Sequence, residues 1–146
     1  MSTVREILRN KGCDVWSIAP DATVYEALCL MADKNVGAVL VIDACTLVGI
    51  LSERDYARKV ILHGKSSRDT LVREIMTERM VYVRPEQTAE ECMALMTEKR
   101  VRHLPVLEGD RLVGVVSIGD VVKSIISEQE FVIDQLEHYI SGTVYK

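Results

Sequence analysis

Two aspartates stand in the same local setting, Gly49-Ile50-Leu51-Ser52-Glu53-Arg54-Asp55 and Gly114-Val115-Val116-Ser117-Ile118-Gly119-Asp120. Each setting starts in an apolar run, Leu47 to Leu51 or Leu112 to Val116, that reads as a buried strand and passes through Ser into a segment with helical spacing. Ser is a favoured N-cap because its hydroxyl accepts a bond from a first-turn N–H that has no partner inside the helix. The remaining free N–H groups and the positive end of the helix dipole attract an anion. An acid three residues later falls on the first turn, where its carboxylate can accept two hydroxyl bonds. One turn can therefore hold a phosphate and a ribose. The same residues also make a plain helix cap, and it is their recurrence in matching contexts that favours binding.

The elements that position these acids recur as well. From Pro20 and Pro85 onward the chain matches itself at a constant offset of 65 residues: Thr23 with Thr88, Glu26 with Glu91, Met31 with Met96, Val36 with Val101, Gly49 with Gly114, Ser52 with Ser117 and Asp55 with Asp120. Each pass reads as a short strand, a helix, a two-strand hairpin and a second helix. In the first pass these are a strand at Val15 to Ile18, a helix carrying Ala27, Leu28, Met31 and Ala32, strands at Val36 to Ile42 and Leu47 to Leu51, and a helix from Glu53 to His63-Gly64. Gly109-Asp110 takes the place of the Ala44-Cys45 turn. In front of the first pass, Thr3 to Glu6 is a capping-box pattern opening a short helix, and its Val-Arg-Glu-Ile core returns at Val72 to Ile75. The polar stretch Lys65 to Asp69 reads as the linker. After the second pass, Ser127-Glu128-Gln129-Glu130 reads as the cap of a separate final helix with Phe131, Val132, Leu136, Tyr139 and Ile140 apolar and Gly142 as its stop. The domains expected are 1–66, the first repeat with the N-terminal helix; 67–127, the second repeat; and 128–146, a helical tail.

With 146 residues, 48% of them apolar, the chain can bury a core without disulfides or metals. A net charge of −4 argues against binding a nucleic-acid backbone. Neither a signal peptide nor an apolar run of membrane-spanning length is present, so a cytoplasmic protein with no membrane association is expected. Cys13, Cys29, Cys45 and Cys92 make neither a zinc pattern nor a disulfide framework. Cys29 and Cys92 are expected in the core, Cys45 exposed in a turn. Trp16, Tyr25 and Tyr82 read as core or rim residues, and no P-loop, metal spacing or catalytic triad pattern accompanies His63 or His138.

The two Gly-x-x-Ser-x-x-Asp signatures, the hairpins before them and Val101-Arg102-His103-Leu104-Pro105-Val106 make the chain from about Val4 to Ile126 resemble a tandem pair of cystathionine β-synthase (CBS) domains, a Bateman module of the free-standing bacterial type. The resemblance implies an α+β fold: two pseudo-twofold-related β-α-β-β-α repeats packed through their sheets, with a short N-terminal helix and a C-terminal helix added. It implies adenosyl ligands in two clefts lined by both repeats, AMP ahead of ATP, ADP, NAD(H) or S-adenosylmethionine, with no metal required. It also implies a homodimer and regulation of an unidentified effector protein, without catalysis.

Residue by residue, the resemblance gives Asp55 the ribose of one ligand, with Ser52 and Arg54 near its phosphate, the strand at Met80 and Val81 framing the adenine, and Arg102 and His103 reaching the phosphates. Asp120 takes the other ribose and Ser117 its phosphate, with Ala22, Ala27, Gly37 and Ala38 lining the base side. On this assignment Arg54, Arg102 and His103 gather around Asp55, where Asp120 has Gly119, Gly37 and Ala38. The Asp55 cleft is therefore expected to take the more anionic group. The alternative is a structural or dimerisation module whose clefts are vestigial.

Overall fold

The computed structural model describes residues 2–141, with side chains as far as residue 137. The first helix is α1, Val4–Lys11, opened by Thr3, whose hydroxyl accepts a bond from Glu6 N at 3.3 Å. Val4, Ile7 and Leu8 recur at helical spacing and are all buried. They do not pack with the repeat that follows them in sequence. The chain forms two compact units, one of Asp14–Met80 and one of Met1–Cys13 together with Val81–Lys146.

In the Asp14–Met80 unit a three-stranded sheet is ordered β1 (Ser17–Ile18), β2 (Ala38–Asp43) and β3 (Thr46–Ser52), with β1 parallel and β3 antiparallel to β2. The hairpin turn places Ala44 and Cys45 at φ 47° and 68°, the two positive values of a type I′ turn. Helix α2, Val24–Lys34, is capped by Thr23 and buries Val24, Ala27 and Met31 against Val39, Val41 and Leu51. Cys29 falls on the opposite face and is exposed, contrary to its expected core position. Helix α3, Glu53–Lys59, leads through one 3-10 turn at Ile61–His63 to Gly64, and α4, Val72–Ile75, closes the unit.

The segment expected as a linker is built into this unit. Val24 N donates to Thr70 O and Tyr25 N to Ser67 O, so residues 67–70 satisfy the first amides of α2. Ser2 O does the same for Ala89 N at the start of α5, Ala89–Lys99, in the other unit.

That second unit pairs β4 (His103–Glu108) with β5 (Arg111–Ser117) antiparallel, in the register of β2 and β3, with a bulge at the same step. Its core gathers Val4, Ile7 and Leu8 of α1, Cys92 and Met96 of α5, and Leu104, Val106 and Val116 of the hairpin. A strand at Met80 and Val81 does not form, and Val83 makes only a single parallel bridge to Val106. In the first repeat Leu40 N donates to Trp16 O. The residue matching Leu40 is Pro105, which has no N–H to give the carbonyl of Val81, so the parallel ladder fails there. Cys92, at the position of Ala27, is buried as expected, and burial, Glu91 and Glu90 push its thiol up to about 11.

Helix α6 runs unbroken over Ile118–Ser141. No second helix starts at Ser127, because nothing between Ile118 and Ser141 breaks the first; Ser127 and Glu130 lie one turn apart inside it. The expected stop at Gly142 and the side chains of Tyr139 and Ile140 lie outside the described residues.

The Val-Arg-Glu-Ile repeat now has a physical reason. Val4 N and Arg5 N donate to Gln87 O and Pro85 O, while Val72 N and Arg73 N donate to Ala22 O and Pro20 O. Each copy thus docks on the repeat other than the one it precedes most closely in sequence: α1 on the second and α4 on the first. A Cβ on Gly114 would sit 2.7 Å from Leu8 Cδ2, and one on Gly49 would sit 2.8 Å from Met76 Sδ and 3.1 Å from Thr77 O. Glycine opens both signatures because a helix lies against the strand there.

Candidate functional site

Both signature acids form reciprocal caps. Ser52, extended at φ −116° and ψ 164°, accepts from Asp55 N at 3.2 Å through its hydroxyl, and Ser52 N donates to Asp55 Oδ2 at 2.9 Å. Ser117 and Asp120 repeat the pair at 3.2 and 2.8 Å. The acids remain partly open, with 15% of the Asp55 side chain and 23% of the Asp120 side chain exposed.

Their other partners differ. Asp55 Oδ1 lies 3.1 Å from Lys59 Nζ, one turn further along α3, and accepts from Thr77 Oγ1 at 3.5 Å. Thr77 also exchanges both backbone bonds with Ile50. Around Asp120 one side chain makes the corresponding contacts: Lys11 Nζ donates to Asp120 Oδ2 at 2.7 Å and to the carbonyl of Val115, the counterpart of Ile50, at 2.8 Å. The first repeat thus sets Thr77 and, from its own helix, the Lys59 ammonium on Asp55, whereas the second sets an ammonium from α1 on Asp120. Burial pushes the Asp120 carboxyl up, but the bond from Lys11, the Ser117 amide and the Lys11 charge together hold it below its ordinary 3.8. Lys11 was not among the residues singled out from the sequence. Its partner Asp120 is 109 positions away, and no local pattern marks the pair.

The remaining candidates group by unit. Gly37 O accepts from Glu53 N, and Ala38 faces Ser52 across the β2–β3 ladder. Arg102 O accepts from Ile118 N, and His103 faces Ser117. Arg102 and His103 therefore lie beside Ser117 and Asp120 within one unit, and Gly37 and Ala38 beside Ser52 and Asp55 in the other. Burial, then the Lys11 charge, lower the His103 pKa below its ordinary 6.5, Asp120 opposing and Arg102 adding to the fall. Met80 ends the Asp14–Met80 unit and Val81 begins a segment of the other. Arg54 sits in the first turn of α3, and Ala22 is half-buried, its carbonyl accepting from Val72 N. Ala27 has no exposed surface and belongs to the core, so it presents nothing to a ligand.

The residues present suit a sugar diol. Among the described residues Asp120 Oδ1 accepts no hydrogen bond, which leaves a carboxylate oxygen for hydroxyl donors. Beside it a groove of about 450 Å³ runs between α1 and α6, lined by Asn10, Lys11, Asp120, Lys123, Ser124 and Ser127 among others.

A doubled helix–hairpin–helix unit with a capped acid after each hairpin defines a pair of repeats of one type. The chain belongs to the CBS domain family, whose model matches residues 4–62 and 72–127. The mitochondrial CBS domain-containing protein CBSX3 of Arabidopsis thaliana is 39% identical over 151 residues, spanning 97% of this chain and 73% of that one. A CBS-domain protein from Burkholderia ambifaria superposes with a TM-score of 0.85 at 52% identity, over 88% of this chain and 96% of its own. The CBS domain pair of protein MJ0100, solved with 5′-methylthioadenosine and S-adenosylmethionine, shares the fold at TM-score 0.77 and 21% identity, over 88% and 98%. CBS pairs are regulatory, ligand-binding modules, and among the described residues no helix is long and apolar enough to cross a membrane.

Proposed function

We propose that this chain is a regulatory module that binds adenine nucleotides and transmits their level to a partner protein, with no catalysis of its own. The observation that carries this reading is the pair of first-turn aspartates, each fixed by its own serine cap and left partly exposed. At Asp120 the open Oδ1 accepts ribose hydroxyls with the cap in place, whereas at Asp55 they take the place of the Thr77 and Lys59 contacts on Oδ1. In this reading Asp55 and Asp120 each hold a ribose, AMP is the foremost ligand, and ADP, ATP, NAD(H) and S-adenosylmethionine are the others to compare. Ser52, Arg54 and Ser117 serve the phosphates, as do Arg102 and His103. Ala22, Gly37, Ala38, Met80 and Val81 shape the base sites. Ligand binding acts on the partner only insofar as affinity differs between two arrangements of the module.

The apolar side chains on α6 support a homodimer: Ile118, Val122 and Ile126 recur at helical spacing and are 38 to 50% exposed. A second reading, a structural or dimerisation module, also has an observation in its favour. Both acids are already bonded within their own caps and so contribute to stability without any ligand.

A thermal-shift panel on nucleotide-stripped protein separates the two readings. A ligand at 100 times its dissociation constant adds about 2.7 kcal/mol of stability. A clear rise in Tm with one or more of AMP, ADP, ATP, NAD, NADH and S-adenosylmethionine is expected. No shift with any of them supports the structural module.

A further inference from the structure

Lys11 ends α1, and its ammonium is fixed at two points, by Asp120 Oδ2 at 2.7 Å and Val115 O at 2.8 Å. An ammonium has three donors, so one is left for a further acceptor. About a third of the Lys11 side chain is exposed, and it lies in the wall of the groove between α1 and α6, which also holds the Lys123 ammonium and the carboxylates of Glu6 and Glu128. Asp55, which matches Asp120 in the first repeat, meets Thr77 at 3.5 Å and, from its own helix, the Lys59 ammonium at 3.1 Å, which also donates to Ile75 O.

We infer that Lys11 is the anion-recognising residue beside Asp120, selecting adenosyl ligands that carry a phosphate over uncharged ones. The inference rests on the adenine-nucleotide reading above. Ribose hydroxyls and the 5′-phosphate belong to one sugar, so an acid and an ammonium in direct contact can each take one of them. The pairing with Asp120 does not cancel this use, because Lys11 holds a donor in reserve and a phosphate accepts charge-assisted bonds strongly. The local field agrees: at His103, directly across the ladder from Ser117, the Lys11 charge outweighs that of Asp120 and Arg102 adds to it. The Asp120 site thus carries cationic donors, although from the sequence it is the one expected to take the less anionic group.

The test compares AMP with adenosine by calorimetry in an Asp55→Ala background, which reports the Asp120 site, for Lys11, Lys11→Gln and Lys11→Arg. The ratio of the two affinities is read, so any general loss of ribose binding cancels. Lys11→Gln is expected to lower the AMP preference roughly tenfold or more, and Lys11→Arg to keep most of it. An unchanged ratio overturns the inference, as does a rise of both affinities together, which marks Lys11 as a competitor for Asp120. If the parent binds neither ligand, the nucleotide reading fails, and pyrophosphate alone then decides the role of Lys11. Stabilisation of the parent by pyrophosphate, relative to chloride at equal ionic strength, that disappears in Lys11→Gln upholds anion recognition; equal shifts, or none, overturn it.

Discussion

Protonating His103 is harder in the folded chain than in the unfolded one, because burial and the Lys11 and Arg102 charges oppose it. Its folded pKa lies below the unfolded value near 6.5, so the unfolded state binds more protons once the pH drops below that point. Stability is therefore expected to fall as pH decreases from about 6.5 through the folded His103 value. Asp120, also held low, adds a second loss further down, as pH falls through its own folded pKa below 3.8. Urea midpoints at about pH 7.5 and about pH 5.5 test the upper step. His103→Gln should shrink the difference between them, and an unchanged difference contradicts the assignment. At this scale the spacing of Ser52 with Asp55 and Ser117 with Asp120 was legible in the sequence, since a cap is a local pattern. Lys11 was not, because its role depends on where α1 docks. Cys29 was misplaced because an apolar neighbourhood on α2 does not say which face a small residue occupies; Val24, Ala27 and Met31 do.

Among the elements, the signature glycines are where a helix and a strand approach most closely. Gly114→Ala sets a methyl 2.7 Å from Leu8 Cδ2, and the expected loss is about 1–3 kcal/mol, as for other overpacked cores. Combining it with Leu8→Ala should restore part of that loss beyond additivity, because the second change removes the clashing atoms. A double-mutant cycle with no coupling energy would place the strain elsewhere. The repeated strands and the α2 and α5 helices were legible from periodicity and the constant offset. The missing strand at Val81 turns on one absent amide, that of Pro105, whose effect appears only when the parallel partner is known. The unbroken α6 shows a further limit: Ser127 followed by Glu130 fits a cap and an exposed helix face equally well.

For the whole molecule, the notable feature is that each leading helix completes the repeat it does not precede. Val4, Ile7 and Leu8 belong to the core that contains Leu104, Val106 and Val116. Full burial of side chains of this size is worth about 1.5–3 kcal/mol each, so their joint loss is comparable with the stability of a small unit. A chain lacking residues 2–11 should lose hydrogen-exchange protection in β4 and β5 while β2 and β3 keep theirs. Preferential loss in β2 and β3 would instead return α1 to the first repeat, as the expected 1–66 boundary had it. That boundary followed chain order, which says nothing about docking. Two similar repeats offer each leading helix two similar surfaces, and contacts of particular side chains tell them apart: Leu8 on Gly114, Arg5 with Glu86 and Glu108, and Lys11 with Asp120 for α1, and Met76 on Gly49 after α4.

Whether Asp55 and Asp120 each hold an adenosyl ligand is decided by calorimetric titration of AMP into nucleotide-stripped protein. Wild type, Asp55→Ala, Asp120→Ala and the double variant are compared, with folding checked by circular dichroism. Each single change is expected to remove one binding event, and the folded double variant to bind nothing. Binding to the double variant with unchanged affinity and stoichiometry would contradict this.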